Sequence, residues 1–275
     1  EGVSAIAERL KDENLIRSTL AFKIYARQNN LVSRIQAGSF KLSPSMSVPE
    51  IANTLTVGAD DIWVTLIEGW RVEEMADELS EKLKVKSEKF IEEAKEGYMF
   101  PDTYLFPKDA TAEYIASTLK NTFNQRYSDE IKEKIRKQGL TEEEGVILAS
   151  LVEREGRSDK VRSEVAGILL KRLNIGMKLD VDATVQYALG YQPSEKSWWK
   201  RHITKEDKLI DSAYNTYTHR GLPPAPICNP GLASLEAVAN ANPNTPYLYY
   251  YHDSKGNSHY GKTLEDHLEN VANNP

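Results

Sequence analysis

The 275-residue chain has one cysteine, Cys228, which excludes an intramolecular disulfide and any cysteine-based zinc site. It has no long hydrophobic run. The longest apolar stretch, Gly145 to Val152, falls far short of the roughly 20 residues a bilayer-spanning helix requires. Positive charge is in deficit too: 35 Lys and Arg stand against 41 Asp and Glu, a net charge of −6, so the basic excess that general nucleic-acid binding needs is missing. Neither usual glycine-rich phosphate loop is present, nor a Gly-x-Ser-x-Gly elbow, nor a His-Glu-x-x-His pair among the five histidines. The chain begins Glu1-Gly2-Val3, with no Met and no signal-type apolar segment, and reads as a soluble portion excised from behind any anchor or signal.

Hydrophobic residues make up 40% of the chain and charged residues 28%, the balance of a folded protein with one or two ordinary cores. Tyrosine is over-used, with 14 against 6 Phe and 4 Trp, and the aromatics gather late: Trp198-Trp199, Tyr214, Tyr217 and Tyr247 to Tyr251. A flat apolar face with a polar tip suits sugar rings, although alternating aromatics also simply pack a strand.

Helical spacing is expected over Val3–Leu10 and after Ser18, an alternating strand over Ala37–Leu42, and a Ser47-capped helix through Leu55. Ile62–Ile67 reads as a strand ended by Gly69, followed by acidic amphipathic helices to about Ala94, an aromatic loop over Gly97–Pro107, and helix again over Thr111–Tyr127. Capping boxes at Thr141/Glu144 and Thr263/Asp266 open two further helices, Ser158 opens a long one ending near Gly176, and Asp182–Leu189 forms a short one closed by Gly190. Pro230 suits a first helical turn, and Tyr247–Tyr251 with Ser258–Tyr260 make a hairpin around Lys255-Gly256-Asn257. The fold class is α+β, helix-rich with small sheets. His252 and His259 flank that turn and could face each other, but two solvated histidines fit better than a metal pair; no cofactor or metal is expected.

The stretch Ala149-Ser150-Leu151-Val152-Glu153-Arg154-Glu155 is the candidate site. Leu148, Leu151, Val152 and Glu155 fall at i, i+3, i+4 and i+7 and share one stripe. A carboxyl that extends an apolar stripe is partly desolvated, which raises its pKa toward that of a general acid. Glu153 lies on a different face, so Glu155 is the better acid; a helix end carrying surface charge is the plainer alternative. Asp180 and Asp182 offer either a helix cap or a second catalytic carboxylate. Ala213-Tyr214-Asn215-Thr216-Tyr217, just ahead of Gly221-Leu222-Pro223-Pro224, has the hydroxyls, amide and rings to line a sugar groove, or to satisfy only its own backbone.

Further blocks stand in a fixed order around these: Leu66-Ile67-Glu68-Gly69-Trp70-Arg71, Gly97-Tyr98-Met99-Phe100-Pro101-Asp102-Thr103-Tyr104, Arg172-Leu173-Asn174-Ile175-Gly176-Met177-Lys178-Leu179, Asn229-Pro230, Thr245-Pro246-Tyr247-Leu248-Tyr249 and His267. Together the blocks resemble the endolytic murein lytic transglycosylases, the MltG/YceG-like family, over nearly the whole chain. The resemblance implies a LysM-like subdomain at 1–57, a connecting α/β segment at 58–138 and a catalytic core at 139–275. It implies cleavage of the β-1,4 bond between N-acetylmuramic acid and N-acetylglucosamine within glycan strands, without water, leaving 1,6-anhydro-muramyl ends. The catalytic acid it implies is the second Glu of Glu-x-Glu, Glu155, with Glu153 secondary and Asp182, Thr184, Tyr187, Tyr214, Asn215, Thr216 and Tyr217 along the substrate groove. It also implies the extracytoplasmic face of the bacterial membrane, reached through an N-terminal helix outside this chain, and peptidoglycan synthases as partners. Arg154, Ala183, Ala225 and Tyr260-Gly261 depart from the family's usual residues and bear on groove shape, not on the acid. A hydrolytic muramidase using Asp180 or Asp182, and a non-catalytic wall-binding scaffold, are the competing readings.

Overall fold

Residues 2–36, 38, 40–57 and 61–274 are described by a computed structural model, in which the chain divides into two units. The smaller comprises Glu1–Val64 with Thr103–Ala110, the larger Thr65–Asp102 with Thr111–Pro275.

In the smaller unit, α1 (Val3–Asp12), α2 (Thr19–Gln28) and α3 (Val48–Val57) close over Ala7, Leu10, Phe22, Ala26, Ile51 and Leu55. Ser18 caps α2 by accepting from the Ala21 N–H, and Ser47 and Glu50 cap α3 reciprocally. β1 (Asp61–Thr65) pairs with β2 (Thr103–Pro107) in a two-stranded sheet. The strand expected over 37–42 is not formed at residues 38 and 40–42, and Ala37 and Ser39 lie outside the described residues. Gly38 takes φ +149°, and the side chains of Phe40 and Leu42 pack against the helical core instead of alternating along a ladder. A second departure is β2, which forms inside what the sequence presents as an aromatic loop.

The larger unit contains α4 (Val72–Leu83), α5 (Ser87–Glu93), α6 (Ala112–Arg126), α7 (Asp129–Lys137), α8 (Glu142–Glu155), α9 (Asp159–Asn174), α10 (Asp182–Leu189), α11 (Leu232–Ala239) and α12 (Leu264–Asn273). α8 is its centre. Every residue from Gly145 to Val152 is buried, because α7, α9 and α11 all pack on it. The Thr141/Glu144 capping box is fully made, with Thr141 Oγ1 accepting from the Glu144 N–H and the Glu144 carboxylate accepting from the Thr141 N–H. α7 is not among the helices expected from the sequence; Ser128 caps it by accepting from the Ile131 N–H, and its only two apolar residues, Ile131 and Ile135, join the core around α8. The hairpin forms as expected. β3 (Tyr249–His252) and β4 (Ser258–Gly261) are antiparallel, with Tyr251 opposite His259 and His252 opposite Ser258. That register puts His252 and His259 on opposite faces, so the two rings do not face each other.

Candidate active site

The apolar stripe of α8 ends as its spacing predicts. Leu148, Leu151 and Val152 are fully buried, and Glu155, the last helical residue, keeps only 14% of its side chain exposed. Burial pushes the Glu155 carboxyl up to about 7, and repulsion from Asp182 adds to the rise; a hydrogen bond with Tyr250 and the charge of Arg154 oppose it. Tyr250 comes from β3 and packs against the main core. Two residues on, and therefore on the same face of the strand, His252 brings its Nε2 to 3.9 Å from Glu155 Oε2. Neither residue was singled out as a site residue in the sequence, although alternation from Tyr250 to His252 was the available signal.

Asp182 does not cap its helix. Val181 is the N-cap of α10 and no side chain caps it. Instead Asp182 Oδ1 accepts from the Tyr217 hydroxyl at 2.6 Å and pairs with Lys208 Nζ at 2.9 Å, and Lys208 also donates to the Tyr217 oxygen at 2.9 Å. Burial first, and then the adjoining Asp182 carboxylate, push the Tyr217 phenol well above its ordinary value. Lys208, also missed in the sequence, thus locks a carboxylate and a phenol into one exposed-side cluster.

Three of the expected groove residues face inward instead. Thr184, Asn215 and Thr216 are buried, and their polar groups are used within the fold. Thr184 Oγ1 and Thr216 Oγ1 lie 2.9 Å apart, Thr216 Oγ1 accepts from the Val181 N–H, and Asn215 Nδ2 donates to the carbonyls of Lys208 and Ile210. These residues brace the start of α10 against the 208–217 loop. Tyr187 and Tyr214 are half-buried and pack ring to ring at 4.7 Å, with the Arg71 guanidinium 4.1 Å over Tyr187 and 4.6 Å over Trp198.

Glu153 is committed elsewhere. Its side chain is 5% exposed; Oε2 accepts from the Gly231 N–H at 2.9 Å, just ahead of α11, and Oε1 lies 3.5 Å from Arg162 Nη2. A carboxylate there answers both the helix dipole and the cation. α11 starts at Leu232 with Gly231 as its N-cap, so Pro230 precedes the first turn it was expected to occupy. Glu68 crowds the same spot, where a Cβ on residue 231 would overlap its carboxylate. Among the described residues no group of three or more His, Cys, Asp or Glu side chains could hold a metal ion.

What the fold and site define is a helix-rich α+β protein with one protonatable carboxyl at the end of a buried helix, flanked by a tyrosine and a histidine from a hairpin. The chain belongs to the YceG-like family, which matches it over residues 1–273. It is 31% identical to the "Endolytic murein transglycosylase" of Bacillus subtilis, across 96% of this chain and 80% of that protein. The protein of the same name from Streptococcus pneumoniae serotype 2 is 28% identical across 98% of this chain, which spans 56% of that longer relative. A crystal structure of a yceG-like protein from Listeria monocytogenes superposes with a TM-score of 0.67 at 27% identity, covering 98% of this chain and 95% of that one.

Proposed function

We propose that this chain is an endolytic peptidoglycan lytic transglycosylase, with Glu155 as its one acid–base group. The observation that carries the reading is the Glu155 carboxyl itself, desolvated at the end of the α8 stripe and raised to about 7. A group balanced there can give up a proton and take one back within a single turnover. Protonated Glu155 donates to the glycosidic oxygen as the bond from C1 of N-acetylmuramic acid breaks, and the bonding pair leaves with that oxygen, which departs as the 4-hydroxyl of N-acetylglucosamine. The Glu155 carboxylate then takes the proton of the C6 hydroxyl, whose oxygen bonds to C1. The 1,6-anhydro ring closes and the acid is restored without water. No second carboxylate has to act as nucleophile or base, in contrast to the paired acids of most glycosidases. The names of the relatives support the same reaction.

In this reading Asp182 and Tyr217 border the groove, Tyr187 and Tyr214 form an aromatic wall stiffened by Arg71, and Thr184, Asn215 and Thr216 hold that wall from behind. Glu153 acts on the fold and not on the sugar. Residues 1–57 serve as a LysM-like positioning subdomain, 58–138 as the connecting segment and 139–275 as the catalytic core; the boundary between the first two falls beside residues 58–60, outside the described residues. The same reading places the enzyme at the extracytoplasmic face of the cell membrane, acting beside peptidoglycan synthases. No helix among the described residues is itself long and apolar enough to cross a membrane.

The test is mass spectrometry of purified peptidoglycan incubated with this chain and, in parallel, with Glu155→Gln. Anhydro-muramyl products from within the strands, lost in the variant, are the expected result. Reducing ends would identify a hydrolase, and no products under conditions where a known lytic enzyme works would identify a scaffold.

A further inference from the structure

Across from Glu155, His252 carries a buried polar atom with nothing to bond. His252 Nδ1 lies 2.9 Å from Ser258 Oγ across the hairpin, but His252 Nε2 is buried and has no hydrogen-bond partner. Glu155 Oε2, at 3.9 Å, is beyond hydrogen-bond reach of it. Buried ring nitrogens are nearly always paired, so an unpaired one within 4 Å of a raised carboxyl marks a place for a ligand atom. The 3.9 Å separation is one that a single oxygen about 2.8 Å from each of the two would bridge once substrate parts the groups packed over Nε2. The ring is held in place for that purpose. It packs against Tyr250 with centroids 5.6 Å apart, and the Nδ1···Ser258 Oγ hydrogen bond leaves both tautomers open; in the one proposed below, the Ser258 hydroxyl donates to Nδ1 and the ring proton is on Nε2. Burial first, and then the nearby Arg157 charge, hold the imidazole below its ordinary pKa and keep it a neutral donor.

We propose that His252 is a further catalytic residue: its Nε2–H holds, jointly with the Glu155 carboxyl, the substrate oxygen that exchanges a proton with Glu155. The proposal rests on the transglycosylase reading. Two oxygens use the position in turn, the glycosidic oxygen as it receives the proton and the C6 hydroxyl as it returns one. In each case Nε2–H donates to a lone pair of that oxygen, steadying the charge that develops on the leaving group and then aiming the attacking hydroxyl. His252 neither gains nor loses a proton, so the balance of the reaction is unchanged. Ser258 is a positioning residue that fixes the tautomer.

The experiment measures kcat and KM for anhydro-end formation on purified peptidoglycan, using the full chain, His252→Phe, which keeps a ring without the N–H, and His252→Gln, which restores a donor near Nε2. For His252→Phe, kcat is expected to fall about 10- to 100-fold with KM within about threefold of the parent, and His252→Gln should recover most of that loss. Activity of His252→Phe within twofold of the parent, or equal losses in both variants, overturns the proposal. Ser258→Ala is a second arm that leaves the ring intact. Freed to move its proton to Nδ1, that variant should lose about threefold or more in kcat, and no change in it also counts against the proposal. Reducing-end products from the parent would overturn the transglycosylase reading alone, because the ratio of rates between the variants would still decide whether His252 attends the glycosidic oxygen.

Discussion

Glu153 and Glu155 are two residues apart on one helix and have opposite fates. Helical rotation turns Glu155 onto the apolar stripe, where its carboxyl rises to about 7, and turns Glu153 toward the Gly231 N–H and the Arg162 guanidinium. An acid that must start protonated loses its active form as pH climbs past its pKa. The kcat for anhydro-end formation should therefore fall about tenfold for each pH step above about pH 7, a limb that a pH–rate profile would show and that Glu155→Gln should abolish along with activity. Glu153→Ala tests the other role. Removing one partner of a nearly buried ion pair costs about 3 kcal/mol, so its melting temperature should drop by several degrees, while the folded fraction still yields anhydro ends. That Glu155 and not Glu153 extends the apolar stripe was readable from helical spacing. That the hairpin supplies Tyr250 and His252 was not, because about a hundred residues separate them from α8.

Between elements, the loop that leads into α11 fastens the larger unit together through Asn229. Its Oδ1 accepts from the Gly97 and Met99 N–H groups, both at 2.9 Å, and its Nδ2 donates to Glu96 and to the Trp70 carbonyl. Gly97 is where this bracket is tightest. It takes φ +86°, and a Cβ there would come within 2.4 Å of Pro226 Cγ. Backbone strain and overlap combine, so Gly97→Ala should lose about 2 kcal/mol or more, measurable as a lower denaturant midpoint at unchanged slope. Helices with caps and long apolar stripes, such as α8, α9 and α12, could be read from the chain. α7 is not among the expected helices although Ser128 caps it and Ile131 and Ile135 stand at i and i+4, because two apolar residues in nine make a weak stripe. The strand expected over 37–42 fails because an alternating pattern requires a ladder partner, and Phe40 and Leu42 find a helical core instead.

Across the described residues burial raises several carboxyls, Glu68, Asp77 and Asp180 among them, and most of all Glu155, to about 7, and Glu96, to about 8. A carboxyl with a raised folded-state pKa contributes stability that is complete below its unfolded value near 4.5 and is lost as pH rises through the folded value. The melting temperature should accordingly be higher at pH 6 than at pH 9, since each tenfold difference in proton affinity between the folded and unfolded chain is worth about 1.4 kcal/mol. Calorimetry of the Glu155→Gln, Glu96→Gln double variant should show a flatter profile and a gain over the parent at pH 9. The proposed acid thus costs the fold stability under the conditions where its chemistry would be weakest.

The sequence by itself determined the α+β class, most helices and their caps, the hairpin, the placing of Glu155 and not Glu153 on the apolar stripe, and the family resemblance that the comparison then showed. All of these depend on periods and spacings within some ten residues, or on ordered blocks, which a linear chain displays directly. Only the tertiary structure decided that Asp182 binds Tyr217 and Lys208 instead of capping α10, that Thr184, Asn215 and Thr216 point inward, and that His252 leaves an unpaired Nε2 beside the acid. Burial and hydrogen-bond partners depend on what other segments bring to the same place, and residues far apart in sequence meet only once the core around α8 has closed.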